Sequence, residues 1–133
     1  MSDQPEKSME QVIAADGRFP VEAYAFLHDG LRQAVREAHG QEESGPAPPQ
    51  RHVTGKQLCL ALRKLALERW GMLAKTVLAR WNIHATIDFG HMVYLMIENK
   101  FMKKTDEDSV EDFRDVYDFD KAFDVAYDFE VKE

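Results

Sequence analysis

Apolar residues recur three and four positions apart through most of this chain, the period of one face of an α-helix. Met9, Val12 and Ile13 share one side of a first helix predicted over Glu6 to Ala15, and Gly17 supplies its stop. Pro20 falls where the first turn of a second helix tolerates it, because an amide there has no intrahelical partner to lose. The run that follows repeats apolar residues at 24, 27, 31 and 35 before Gly40 ends it.

Periodicity then stops. "GQEESGPAPPQR" combines two Gly, three Pro and polar residues, and predicts a flexible linker over 41–52. It separates an N-terminal helical pair, 1–40, from a body, 53–133. The pair has too little apolar surface to stand alone, so it is expected to pack on the body and make 1–133 one domain.

Thr54 reads as the N-cap of a helix through Trp70, whose apolar arc takes in Leu58, Ala61, Leu62, Leu65, Ala66 and Trp70. Leu60 and Leu67 fall outside that arc, which predicts a central helix covered on two sides. Gly71 closes it. "MLAKTVLARW" forms the next helix, with Leu73, Val77, Leu78 and Trp81 inward, and Asn82 takes a left-handed turn. Thr86 reads as the cap of "IDFGHMVYLMIENK", which is apolar almost all round and is therefore expected to be buried.

The next segments carry a weaker pattern. "FMKKT" and "DFRDVYD" read as a small β-hairpin turned by "DEDSVE". From Phe119 the spacing is helical again, with Phe119, Ala122, Phe123, Ala126 and Tyr127 on one stripe and Asp120, Lys121, Asp124 and Asp128 opposite. Phe119, Phe123 and Tyr127 are the expected core stripe of this last helix. The fold class is mainly α, a single compact domain of about six helices with at most that hairpin.

Composition changes the picture little. With 133 residues, 44% hydrophobic and 31% charged, the chain can bury a core without disulfides, and its single Cys59 excludes an internal bridge. "MSDQPEKSMEQ" lacks a signal-peptide pattern and no apolar run approaches spanning length, so a cytoplasmic setting and no membrane are expected.

Charge changes it more. Residues 1–50 hold nine acids and four bases, 51–81 seven bases against Glu68 alone, 82–97 only Asp88, and 98–133 thirteen acids against six bases. A basic middle thus sits between acidic ends, and such asymmetry bears on association rather than on fold. Arg51, Lys56, Lys64, Lys75 and Arg80 are the candidates for contact with a partner or a phosphate. Asp124 and Asp128 are expected near these bases, as an internal counter-charge.

Candidate chemistry is sparse. "DFRDVYDFDKAFDVAYDF" holds six Asp and six Phe or Tyr, and helical spacing accounts for most of the aromatics. Read as a calcium loop from Asp106, it has Glu111 where a Gly belongs and Tyr117 where a bidentate Glu belongs. None of His28, His39, His52, His84 and His91 stand four apart, and Asp88 with His91 is half of a di-iron pattern whose other half is missing. Cys59 lies among leucines, where a thiol acts as a small hydrophobe. No cofactor, metal or catalytic residue is predicted.

Nucleic acid is the stronger alternative. Helices 72–81 and 86–99, joined by "NIHA" and followed by the hairpin, have the order of a winged helix-turn-helix behind a basic helix. The would-be recognition helix, however, carries from Asp88 to Ile97 one Asp, one His and no Lys, Arg, Asn or Gln. Such a helix has little to read base edges with, which leaves sequence-independent phosphate contact.

"RFPVEAYAFLHDGL", "HVTGKQLC", "ERWGMLAKTVLARWNI", "TIDFGHMVYLMIENKFM" and "DFRDVYDF" together resemble an uncharacterised family of short bacterial proteins with no assigned activity. The resemblance covers about 18–120 apart from the linker. The family pattern has Gly where this chain has Asn82 and Phe where it has Trp70, both mild departures. It implies a cytoplasmic bacterial protein and transfers no functional residue. The function expected is a non-enzymatic interaction with an unidentified protein partner, through the basic region or the acidic aromatic end.

Overall fold

The computed structural model describes residues 8–39, 53–102 and 109–123. Ser8 opens the first helix, α1 (Met9–Asp16), with a reciprocal cap: its hydroxyl accepts from the Gln11 amide at 3.1 Å, and the Gln11 side chain accepts from the Ser8 amide at 2.9 Å. Gly17, at φ 77°, ends it as expected. Helix α2 (Val21–His39) follows and packs along α3 (Gly55–Trp70). The two approach closely at Gly30, where an added Cβ would lie 2.2 Å from Leu62 Cδ2.

Thr54 caps α3 as predicted, trading hydrogen bonds of 3.0 and 2.8 Å with Gln57. Leu58, Cys59, Ala61, Leu62, Leu65 and Ala66 are buried, and Trp70 is half-buried. The expected second covered side differs: Leu60 is 47% exposed and Leu67 half-buried. The neighbours of α3 among the described residues cover one arc of it, and Leu60 lies beyond that arc.

The next helix starts later than predicted. Gly71, at φ 52°, opens a 3-10 turn through Leu73, and α4 runs Ala74–Arg80. The three-residue period of that turn shifts the phase, so Ala74 and Leu78 take the inward positions while Leu73 stays 59% and Met72 76% exposed. Asn82 does adopt the left-handed conformation, at φ 67°.

Helix α5 (Thr86–Glu98) corrects two further expectations. Asp88, not Thr86, supplies the capping side chain, accepting from the amides of His84 at 2.8 Å and of the N-cap Ala85 at 3.2 Å, just before the helix. The helix is also only partly buried: Phe89, Met92 and Met96 face the core, whereas Val93, Tyr94, Leu95 and Ile97 are half-exposed. Among the described residues, α5 packs mainly on the Val110–Phe113 turn and on α3.

The expected hairpin does not appear among the described residues. "DFRDVYD" begins in a 3-10 turn, Val110–Phe113, capped by Ser109, and continues through a bend with Asp115 at φ 53°. No strand occurs among the described residues, and 103–108, which hold half of the expected turn and most of the expected first strand, lie outside them. Side chains hold this segment in place of a ladder. Thr86 bonds Phe113 and Val116, and Tyr117 Oη donates to the Cys59 carbonyl at 2.7 Å.

The chain as described ends with one turn of helix, α6 (Phe119–Ala122), capped by Asp118. Phe119, Ala122 and Phe123 are buried as the stripe predicts, with the Phe119 and Phe123 rings 5.0 Å apart. Ala126 and Tyr127 lie outside the described residues, as does the linker at 41–52. The protein is mainly helical, and one hydrophobic cluster joins Ile13, Leu27, Leu62, Leu78, Phe89 and Phe119 from all of its helices.

Candidate functional site

Two left-handed turns build the most distinctive surface. Gly17 turns the chain so that Arg18 folds back on Asp16, with Nε 3.1 and 3.0 Å from the two carboxylate oxygens and Nη2 2.9 Å from Oδ1. That contact holds the Asp16 carboxyl below its usual range and the Arg18 guanidinium above its own. Asn82 makes the second turn at the end of α4. Its side-chain amide donates to the Arg18 carbonyl at 3.2 Å, which ties the two turns together.

Between them runs a groove of about 440 Å³. Ile13, Phe19 and Trp81 supply apolar surface, Val21 forms an exposed wall, and Arg18 and Arg80 stand among the lining residues with Glu10 as the one acid. Trp81 is half-buried and wedged against other rings, 5.4 Å from Trp70 and 5.9 Å from Phe26. The Arg18 guanidinium lies 5.7 Å from the Phe19 ring centroid. The arrangement offers a rigid aromatic face beside two planar cations, the residue types that anchor interfaces.

The five predicted bases separate into paired and unpaired. Lys64 bonds Glu37 of α2 at 3.1 Å, and Lys75 pairs with Asp120 of α6. Lys56 and Arg80 are exposed, with no ion pair among the described residues, and Arg51 lies outside them. Two further bases of the same region are engaged as well, Arg69 with Asp29 at 2.7 Å and Arg63 with the Ala122 carbonyl at 2.9 Å. Among the described residues the counter-charges come from α2 and from Asp120. Asp124 and Asp128, which were expected to supply them, lie outside the described residues.

Sequence reasoning found Arg80 and missed Arg18, Val21 and Trp81 as its companions. Only Gly17, read as a helix stop, and Asn82, read as a left-handed turn, carried a local signal of the surface they build.

Other surfaces offer less. A groove of about 530 Å³ beside Leu60 and Leu67 mixes Arg63 and Lys64 with Glu37 and Glu68. A smaller one, about 340 Å³, brings His84 near Asp115 and Asp118. No group of three or more His, Cys, Asp or Glu is placed to hold a metal among the described residues. Asp88 serves as a helix cap rather than as a partner of His91. Cys59 is fully buried, and burial pushes its thiol up to about 12.

Searches against protein-family models, curated proteins and solved structures return no match to this chain. No helix among the described residues is long and apolar enough to cross a membrane.

Proposed function

We propose that this chain is a non-enzymatic protein–protein interaction module that engages its partner through the groove between the α1–α2 turn and the end of α4. The observation that carries this reading is the placement of Arg80, uncompensated among the described residues, across an apolar groove from the fixed Arg18. Of the other described bases of the region, Arg69, Lys64 and Lys75 pair with Asp29, Glu37 and Asp120, and the exposed Lys56 is not among the groove's lining residues. Membership of the family that the sequence blocks resemble, and the cytoplasmic setting it implies, belong to the same proposal.

Nucleic-acid binding draws less support. Helix α5 turns Phe89, Met92 and Met96 inward and carries no Lys, Arg, Asn or Gln, and two of the expected phosphate contacts, Lys64 and Lys75, are already paired. An enzyme draws less still, since the buried Cys59 thiol is held in its protonated, unreactive form.

Quantitative affinity capture from the native cell tests the reading. Wild-type chain and Lys56→Glu should retain the same protein, and Arg80→Glu should lose it. Equal retention by all three would reject the groove as the site.

A further inference from the structure

The groove asks two things of an occupant at once. Arg18 is fixed by Asp16 and stands over the Phe19 ring, Arg80 has no counter-ion among the described residues, and Glu10 is the one acid among the lining residues. Arg18 already has its counter-charge in Asp16, but covering Arg80 with a neutral ligand would strip water from charge without replacing it. Between them, Trp81 and Val21 present apolar surface, Val21 at 47% exposure. A small inorganic anion would answer Arg80 and leave that surface in water. A carboxylate beside an aromatic ring on one extended chain answers both, and Arg can accept the carboxylate through two parallel hydrogen bonds. The volume of about 440 Å³ suits a few side chains rather than a folded surface.

We infer that the groove binds an acidic peptide segment of a partner protein, with an aromatic side chain laid on Trp81 and a flanking Asp or Glu paired with Arg80. This rests on the interaction reading above and specifies the chemistry of the partner.

Three capped pentapeptides serve as probes: Glu-Asp-Phe-Asp-Glu, its amide counterpart Gln-Asn-Phe-Asn-Gln, and the ring-free Glu-Asp-Ser-Asp-Glu. Each is titrated onto the full chain while the indole N–H resonance of Trp81 is followed by NMR, with Trp70→Phe used for assignment. The first peptide should shift that resonance saturably, and the other two should bind at least about tenfold more weakly. Arg80→Glu, a change at an exposed position, should weaken the first by a similar factor, and Lys56→Glu should leave it unchanged. Equal binding of all three peptides, binding of none, or indifference to Arg80→Glu would overturn the inference. If no peptide binds while the Arg80-dependent capture persists, the interaction reading stands and the peptide chemistry is wrong. If capture too is indifferent to Arg80, both fall. Self-association of the chain abolished by Arg80→Glu would assign the groove to a second copy and overturn the inference as well.

Discussion

The Thr86 hydroxyl donates to the Phe113 carbonyl at 2.6 Å from a position only 1% exposed. The same oxygen accepts from the Val116 amide at 3.1 Å, so one buried hydroxyl joins the start of α5 to the segment leading into α6. Thr86→Val keeps the shape and removes both bonds, leaving a buried carbonyl without its donor. It should cost about 1–3 kcal/mol in urea denaturation, with Thr86→Ser close to wild type. A loss under about 0.5 kcal/mol, the range of surface changes, would show that the hydroxyl is not a structural tie.

Gly90 faces the same segment. An added Cβ would lie 2.9 Å from both Cβ and Cγ of Phe113, atoms near the backbone that cannot swing aside. Helix propensity alone favours Ala over Gly by about 1 kcal/mol, whereas overpacking costs about 1–3 kcal/mol. The clash should win, and Gly90→Ala should lower the urea midpoint. A raised midpoint would mean that the Phe113 segment yields freely.

Phe123 closes the described chain with its ring 5.0 Å from Phe119 and 6.0 Å from Tyr117. At 5% exposure, Phe123→Ala should cost about 3 kcal/mol or more in chemical denaturation. A change under about half a kcal/mol would make this end of the chain a docking tail instead of core.

Burial raises Cys59 from 9.0 to about 12 and Tyr24 from 10.0 to about 12. A folded value above the unfolded one means that the stabilising contribution is complete below the unfolded pKa and is lost as pH rises through the folded one. Stability should therefore decline from about pH 9 towards pH 12, and Cys59→Ala should flatten part of that decline. The native thiol should also resist a disulfide reagent at pH 8 and react once urea unfolds the chain. Rapid modification of the folded protein would contradict the burial of Cys59.

Local signals were legible where one or two neighbouring residues decide the backbone. Gly17 ended α1, Asn82 took the left-handed turn read for it, Thr54 capped α3, and the 119, 122, 123 spacing marked the buried side of α6. Thr86 was misread because its role depends on Phe113, twenty-seven residues away, whereas a cap is a local feature. "DFRDVYD" alternates weakly enough to suggest a strand, yet Phe113 has its place fixed by Gly90 and by Thr86, contacts that no local pattern reveals. The phase shift that exposes Leu73 came from a single 3-10 turn. The groove was the least legible feature, since Arg18 and Arg80, sixty-two residues apart, come together through long-range contacts such as Asn82 with the Arg18 carbonyl and Trp81 with Phe26.

The interaction reading is tested most directly by photo-cross-linking in the native cell, with a photoreactive residue at Val21 and, separately, at Leu60. Both positions are 47% exposed and apolar, but only Val21 lines the groove with Arg18 and Arg80. A protein adduct of defined mass at Val21, lost with Arg80→Glu and missing at Leu60, is the predicted result. An adduct at Leu60 with none at Val21 would contradict it and move the interaction to the outer face of α3.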